Sequence, residues 1–251
     1  MLLKTLTVIL IVMFPVGLVI MLTPFGTQYL WTTSMFLFLQ ALILFILVYN
    51  SAGLIKSTVV ILALLSLSFI IEYVAVKTSY PFGRYTYTDV LQPVVETVPI
   101  AIAFAWFSVT VSSYLISEDL FPGTGLFTVS FISSVIIFAT DIMLEPFASF
   151  VNGFWLWELG VIPLQNFAGW WILGLLFSLF LSLFIPPSKI NLPNSYHRKI
   201  PYLILLVNIL TFTIINVYYG YILISIFGLL IIGLITIVLP RFNNTKMNSE
   251  P

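Results

Sequence analysis

SFISSVIIFATDIMLEPF, residues 130–147, is an apolar run that carries two carboxylates, Asp141 and Glu145, near one end. Read as a helix, the run is suited to lipid. The spacing of four places both acids on one helical face. Pro146 then ends the helix. An ionisable side chain in hydrocarbon is costly to bury, so such a pair points to function by default.

Similar apolar runs extend to either side. We identify eight candidate spans, at 5–22, 32–50, 58–76, 98–116, 126–144, 167–185, 201–217 and 221–239. Each is long enough for a bilayer core of about 30 Å. Seven is the alternative count, because only NVYYGY separates the last two runs. Pro15 lies inside the first span, where it is expected to kink the helix. Of the 251 residues, 61 % are hydrophobic and 7 % charged, against roughly 25 % charged in a soluble domain. Mean hydropathy is +1.15. The expected fold is an all-α polytopic transmembrane bundle in a cell membrane, a single integral domain over 1–251. Its functional core is expected at about residues 60–180, and 241–251 reads as a polar cytoplasmic tail. Lys4 precedes an apolar stretch as in a signal peptide, but TPFGTQYLW follows with no small-x-small site, so the first helix reads as retained.

Charge sets the expected orientation. With the N-terminus in the cytoplasm, Lys4, Lys56, Lys189, Arg198, Lys199, Arg241 and Lys246 fall inside, and Lys77 and Arg84 outside. That asymmetry favours eight spans with both termini cytoplasmic. Zero net charge gives no sign of a nucleic-acid partner. The absence of Cys removes thiolate chemistry, and a single histidine, His197, removes multi-histidine iron sites. No nucleotide-binding glycine motif occurs, so neither cofactor nor metal is expected.

The acids cluster. Glu72, Asp89, Glu96, Asp141, Glu145 and Glu158 all lie on or near the outer half, whereas Glu118 and Asp119 lie in an inner loop. Glu72 and Asp141 each sit about 21–23 Å up a rising helix at 1.5 Å per residue. Two helices could thus bring Glu72, Asp141 and Glu145 together. Plainer readings compete. Glu145 and Glu158 fit water-facing helix ends, Asp89 and Glu96 fit loop charges, and Glu72 or Asp141 could pair with Lys77 or Arg84. The tryptophans and tyrosines fit an interfacial belt, and Asn208 and Asn216 fit interhelical hydrogen bonds. Against the belt reading, YPFGRYTY and FWLWELG concentrate aromatics beside the acids. Such grouping suits a long polyunsaturated ligand or a cation-like intermediate.

Three groups of residues are specific enough to carry a resemblance. They are EYVAVKTSYPFGRYTY (Glu72–Tyr87) with Val98–Pro99 and Trp106, DIMLEP (Asp141–Pro146), and WLW (Trp155–Trp157) with IPLQNFAGW (Ile162–Trp170). In this order they resemble the membrane carotenoid-biosynthesis protein family, which includes the CruF-type carotenoid hydratases. The resemblance covers about residues 60–180. The chain departs from that pattern at Ala75 and Ser79, where Gly is often found. It departs again at Glu145, where Asp is common, and at Leu159-Gly160-Val161.

The resemblance implies hydration of a terminal double bond in an acyclic carotenoid, with water as co-substrate and bilayer lipid as surroundings. Other carotenoid-synthesis enzymes are possible partners. The residues fit this chemistry, which needs an acid for the alkene and a base for the attacking water; unequal carboxyls supply both. Asp141, the deeper of its pair, is the expected general acid, and Glu145 or Glu72 the carboxylate that activates water. Asn166 could orient that water. Tyr85, Tyr87, Trp155, Trp157, Phe82 and Trp170 would line the end-group pocket. Acid-driven cyclisation or isomerisation would use the same acids, and a proton-coupled carrier is a further alternative.

Overall fold

The computed structural model describes residues 1–186, 192 and 195–239. The expected tail at 241–251, and with it Lys189, Arg241 and Lys246, lies outside the described residues. Among the described residues there are eight α-helices: α1 (Leu2–Leu22), α2 (Thr32–Ala52), α3 (Leu54–Thr78), α4 (Ile100–Leu120), α5 (Leu126–Glu145), α6 (Leu164–Phe184), α7 (Ser195–Tyr218) and α8 (Ile222–Val238). The first seven are long and apolar enough to cross a membrane, and α8 is a shorter apolar helix. The protein is therefore an all-α polytopic bundle, with seven such spans among the described residues and an eighth apolar helix packed on α7.

Helix α4 is the centre of the bundle and packs against α2, α3, α5, α6 and α7. Its sequence accounts for this. Ala101, Ala103, Ser108, Thr110, Ser112, Ser113 and Ser117 are all buried, and small side chains let neighbouring backbones approach where lipid supplies no hydrophobic drive between helices.

Helices α5 and α6 pack along a ladder of such residues. Ser130 and Ser182 share a hydrogen bond of 2.9 Å, and Ser178 Oγ donates to Ser133 Oγ at 2.8 Å. Next, Ile137 covers Gly174, where an added Cβ would lie 3.1 Å from the isoleucine side chain. Continuing at a spacing of four, the rows reach Asp141 and Glu145 on α5, and Trp170 and Asn166 on α6. The carboxylate pair is the last rung of the helix interface.

The connections after α3 and α5 lie at the same end of the bundle and carry the β-strands found among the described residues. Strand β1 (Tyr85–Tyr87) pairs antiparallel with β4 (Trp155–Trp157), and β2 (Val94–Val95) with β3 (Val98–Pro99). As expected, Pro146 ends α5. A π-helical turn, Pro146–Val151, follows directly, since proline has no N–H to continue the α-helical pattern. Two contacts fix the loops to the bundle. Gly83 has φ +107°, and an added Cβ would lie 2.7 Å from Pro163. At Gly169 a Cβ would lie 2.9 Å from the Phe82 ring. The YPFGRYTY and IPLQNFAGW stretches thus meet at positions where only glycine fits.

Candidate active site

Alternation in two short strands aims the aromatic donors. In the β1–β4 register Tyr85 faces Trp157, Thr86 faces Leu156, and Tyr87 faces Trp155. Side chains in a strand alternate between faces. Tyr85, Tyr87, Trp155 and Trp157 therefore share the inward face, while Leu156 is exposed.

Glu72, from the last turns of α3, lies beneath this face. Tyr85 and Tyr87 donate their hydroxyls to its Oε2 at 2.5 and 2.7 Å, and Trp106 of α4 donates Nε1 to its Oε1 at 2.7 Å. Among the described residues no cation takes part: Arg84 pairs instead with Glu158 at 3.4 Å on the surface, and Lys77 lies over the Tyr73 ring. Burial first, and the Glu72 charge second, raise both phenols above the ordinary tyrosine range. Tyr85 and Tyr87 are thus held as O–H groups.

Glu145 closes the other side. Trp157 and Trp155 donate Nε1 to its Oε2 at 2.9 and 3.3 Å, and Asn166 of α6 donates Nδ2 to its Oε1 at 2.9 Å. The same Asn166 nitrogen reaches Asp141 Oδ2 at 3.2 Å. Asp141 Oδ1 is buried and has no hydrogen-bond partner among the described residues. A water-facing reading of Glu145 does not hold, since its side chain is 1 % exposed. The strand and the π-helical turn fold back over it.

One cavity of about 110 Å³ connects these groups. A space of 10–15 Å³ holds one water, so it can admit water together with part of a larger molecule. Its wall includes Glu72, Glu145 and Asn166, with Phe82, Tyr85, Tyr87, Trp155, Trp157 and Trp170. Nine of the ten residues expected from sequence thus line one space. Asp141 does not line it and meets the site through Asn166. Among the described residues, no lysine, arginine or histidine contributes to the wall.

Two groups of residues join the site that were not among the expected site residues. Trp106 binds Glu72 and stacks on Trp170 with ring centroids 3.9 Å apart; its signal was a lone tryptophan inside an apolar span. Gln40 and Asn208 exchange two amide hydrogen bonds, of 2.9 and 3.1 Å, and both line the cavity. Asn208 is thus the interhelical partner expected of it and part of the wall as well. Among the described residues, no group of three or more His, Cys, Asp or Glu is placed to hold a metal.

Residues 32–235 match the carotenoid biosynthesis protein family. Among curated proteins the chain is 31 % identical over 137 residues to bisanhydrobacterioruberin hydratase of Haloarcula japonica. That stretch covers 52 % of this chain and 45 % of the relative, so the chain spans less than half the relative's length. No solved structure matches. The family match runs from α2 into α8 and takes in both carboxylate-bearing helices and both strands of the aromatic pair. The chain belongs to the carotenoid biosynthesis protein family.

Proposed function

We propose that this protein adds water across a terminal carbon–carbon double bond of an acyclic carotenoid, giving a tertiary alcohol. The observation that carries this reading is a contrast between the two carboxyls on the cavity wall. Indole N–H and amide NH₂ groups only donate. Glu145 accepts from two indoles and an amide, a set that suits a carboxylate. Glu72 Oε2 meets two phenols, which can accept as well as donate. Glu72 can therefore carry a proton on Oε2 without losing its partners.

In the proposed reaction Glu72 transfers that proton to the terminal alkene carbon. The π bond becomes a C–H bond, and the positive charge rests on the tertiary carbon. Glu145 and the faces of the surrounding aromatic rings stabilise the cation. Water attacks the cation, forming the C–O bond, and Glu145 takes the released proton. Return of one proton from Glu145 to Glu72 restores the site, with Tyr85 and Tyr87 able to relay it. No oxidant or reductant enters the balance. Sequence alone favours Asp141 as the acid; the cavity wall favours Glu72, with Asp141 positioning Asn166 and Glu145.

The direct test is expression in cells that accumulate an acyclic carotenoid with unsaturated ends. The expected pigment is heavier by one water per hydrated end, and Glu72→Gln abolishes it. An isomer of unchanged mass would indicate cyclisation or isomerisation instead, and unaltered pigment would refute the proposal.

A further inference from the structure

We infer that the polyene tail of the substrate lies in a lateral channel between α1, α2 and α7 that opens the active-site cavity to the bilayer. This rests on the hydratase reading for the identity of the ligand. A second cavity of about 180 Å³ lies between these helices. Met21, Thr33, Phe36 and Thr211 line both spaces, so the two share a wall. None of the residues lining the second cavity is charged.

Its outer boundary is α1, the helix with the least burial. Only 11 % of the apolar window of α1 is buried, against 83 % for α4. Val16 and Val19 beside the cavity are 54 % and 62 % exposed. The space therefore adjoins the lipid side of the bundle. An acyclic polyene dissolves in the bilayer and must reach the carboxyls from there, and most of its length exceeds what the 110 Å³ end-group cavity can hold. Where the cavity passes α2 and α7, Gln40 and Asn208 satisfy each other, leaving no free amide against an apolar chain.

Gly17 on α1 lines the channel, and a Cβ added there would have nothing within 4 Å. Larger side chains at this position fill the channel without displacing the fold. Gly233 on α8 is equally open but lines neither cavity, which makes it the control.

The test uses the full chain in lipid nanodiscs and a long acyclic carotenoid. Binding is read as quenching of tryptophan fluorescence, and hydrated product is measured separately. Gly17→Phe, and independently Thr33→Leu, are expected to weaken carotenoid binding at least tenfold, while Gly17→Ala and Gly233→Phe bind as the parent does. A short acyclic isoprenoid with the same terminal alkene is expected to be hydrated equally by parent and Gly17→Phe. Parental carotenoid binding in both Gly17→Phe and Thr33→Leu would overturn the channel, and would leave a lipid chain as its occupant. Quenching reports binding whether or not water is added, so a parent that binds but makes no alcohol refutes the hydratase reading alone.

Discussion

Tyr85 and Trp157 are direct cross-strand partners whose rings lie 5.2 Å apart, yet their polar atoms go to different carboxyls. Tyr85 donates to Glu72 on α3 and Trp157 to Glu145 on α5. A single pair in a three-residue ladder thus spaces two acids carried by separate helices.

Glu72→Gln is expected to lower hydration by about 10²–10⁴-fold, the usual worth of a positioned proton donor. Asp141→Asn should cost less, since Asp141 does not line the cavity. Initial rates of alcohol formation in isolated membranes check this. The reverse order would return the acid role to Asp141.

Glu145→Gln presents an amide to two indole N–H groups and the Asn166 amide. At least one donor then loses its acceptor, at a cost of about 1–3 kcal/mol. The expected result is a lower melting temperature in detergent together with lost activity. Glu72→Gln should be milder in stability, because the phenols of Tyr85 and Tyr87 can rotate to accept.

Tyr85 and Tyr87 predict an alkaline limit. Their pKa values are raised in the folded state, whereas an unfolded tyrosine loses its proton near pH 10. Above about pH 10 the unfolded chain therefore binds fewer protons than the folded one, and stability falls as pH rises. The contribution is complete below that value. Between about pH 9 and 11, the melting temperature of the parent should decline more steeply than that of a Tyr85→Phe, Tyr87→Phe double variant.

Gly83→Ala combines a positive φ with a clash against Pro163. A cost of about 1–3 kcal/mol is expected, read as thermal stability, with a loss of activity because the loop carries β1. Gly17→Ala meets nothing and should be close to neutral on the same scale.

Removing one amide of the Gln40–Asn208 pair strands the other in an apolar interior. Either single substitution to Leu should be destabilising, and the double variant should lose less than the sum of the two single losses. A coupling of about 0.6–1.7 kcal/mol is expected from a double-mutant cycle, in line with interhelical hydrogen bonds in membranes.

Much of the bundle is legible in the chain because apolar runs of bilayer length leave few alternatives. The DIMLEP acids are likewise legible as an anomaly in such a run. What the one-dimensional pattern conceals is pairing across distance. YTY and WLW are separated by nearly seventy residues, and each is too short to show a period of two. Their joint inward face emerges only when β1 meets β4. For Glu145 a water-facing helix end competes with a catalytic carboxylate in the sequence, because burial by a distant strand leaves no local trace. Trp106 is visible as part of the family resemblance, but its bond to Glu72 is hidden for the same reason, since Glu72 is on another helix. Gln40 has its own signal, an amide within an apolar span, and its pairing with Asn208 accounts for both.

The serine rungs between α5 and α6 have a consequence for the chemistry at the far end of those helices. Ser130 and Glu145 are about 22 Å apart along α5 at 1.5 Å per residue. Helices held only by greasy contacts could slide, and a slip of one turn would carry Asn166 about 5.4 Å from its carboxylates. Hydroxyl pairs at 130–182 and 133–178 act as a vernier. They set the axial register of the two helices remotely, so the amide arrives level with both acids and the proposed site need not supply its own alignment.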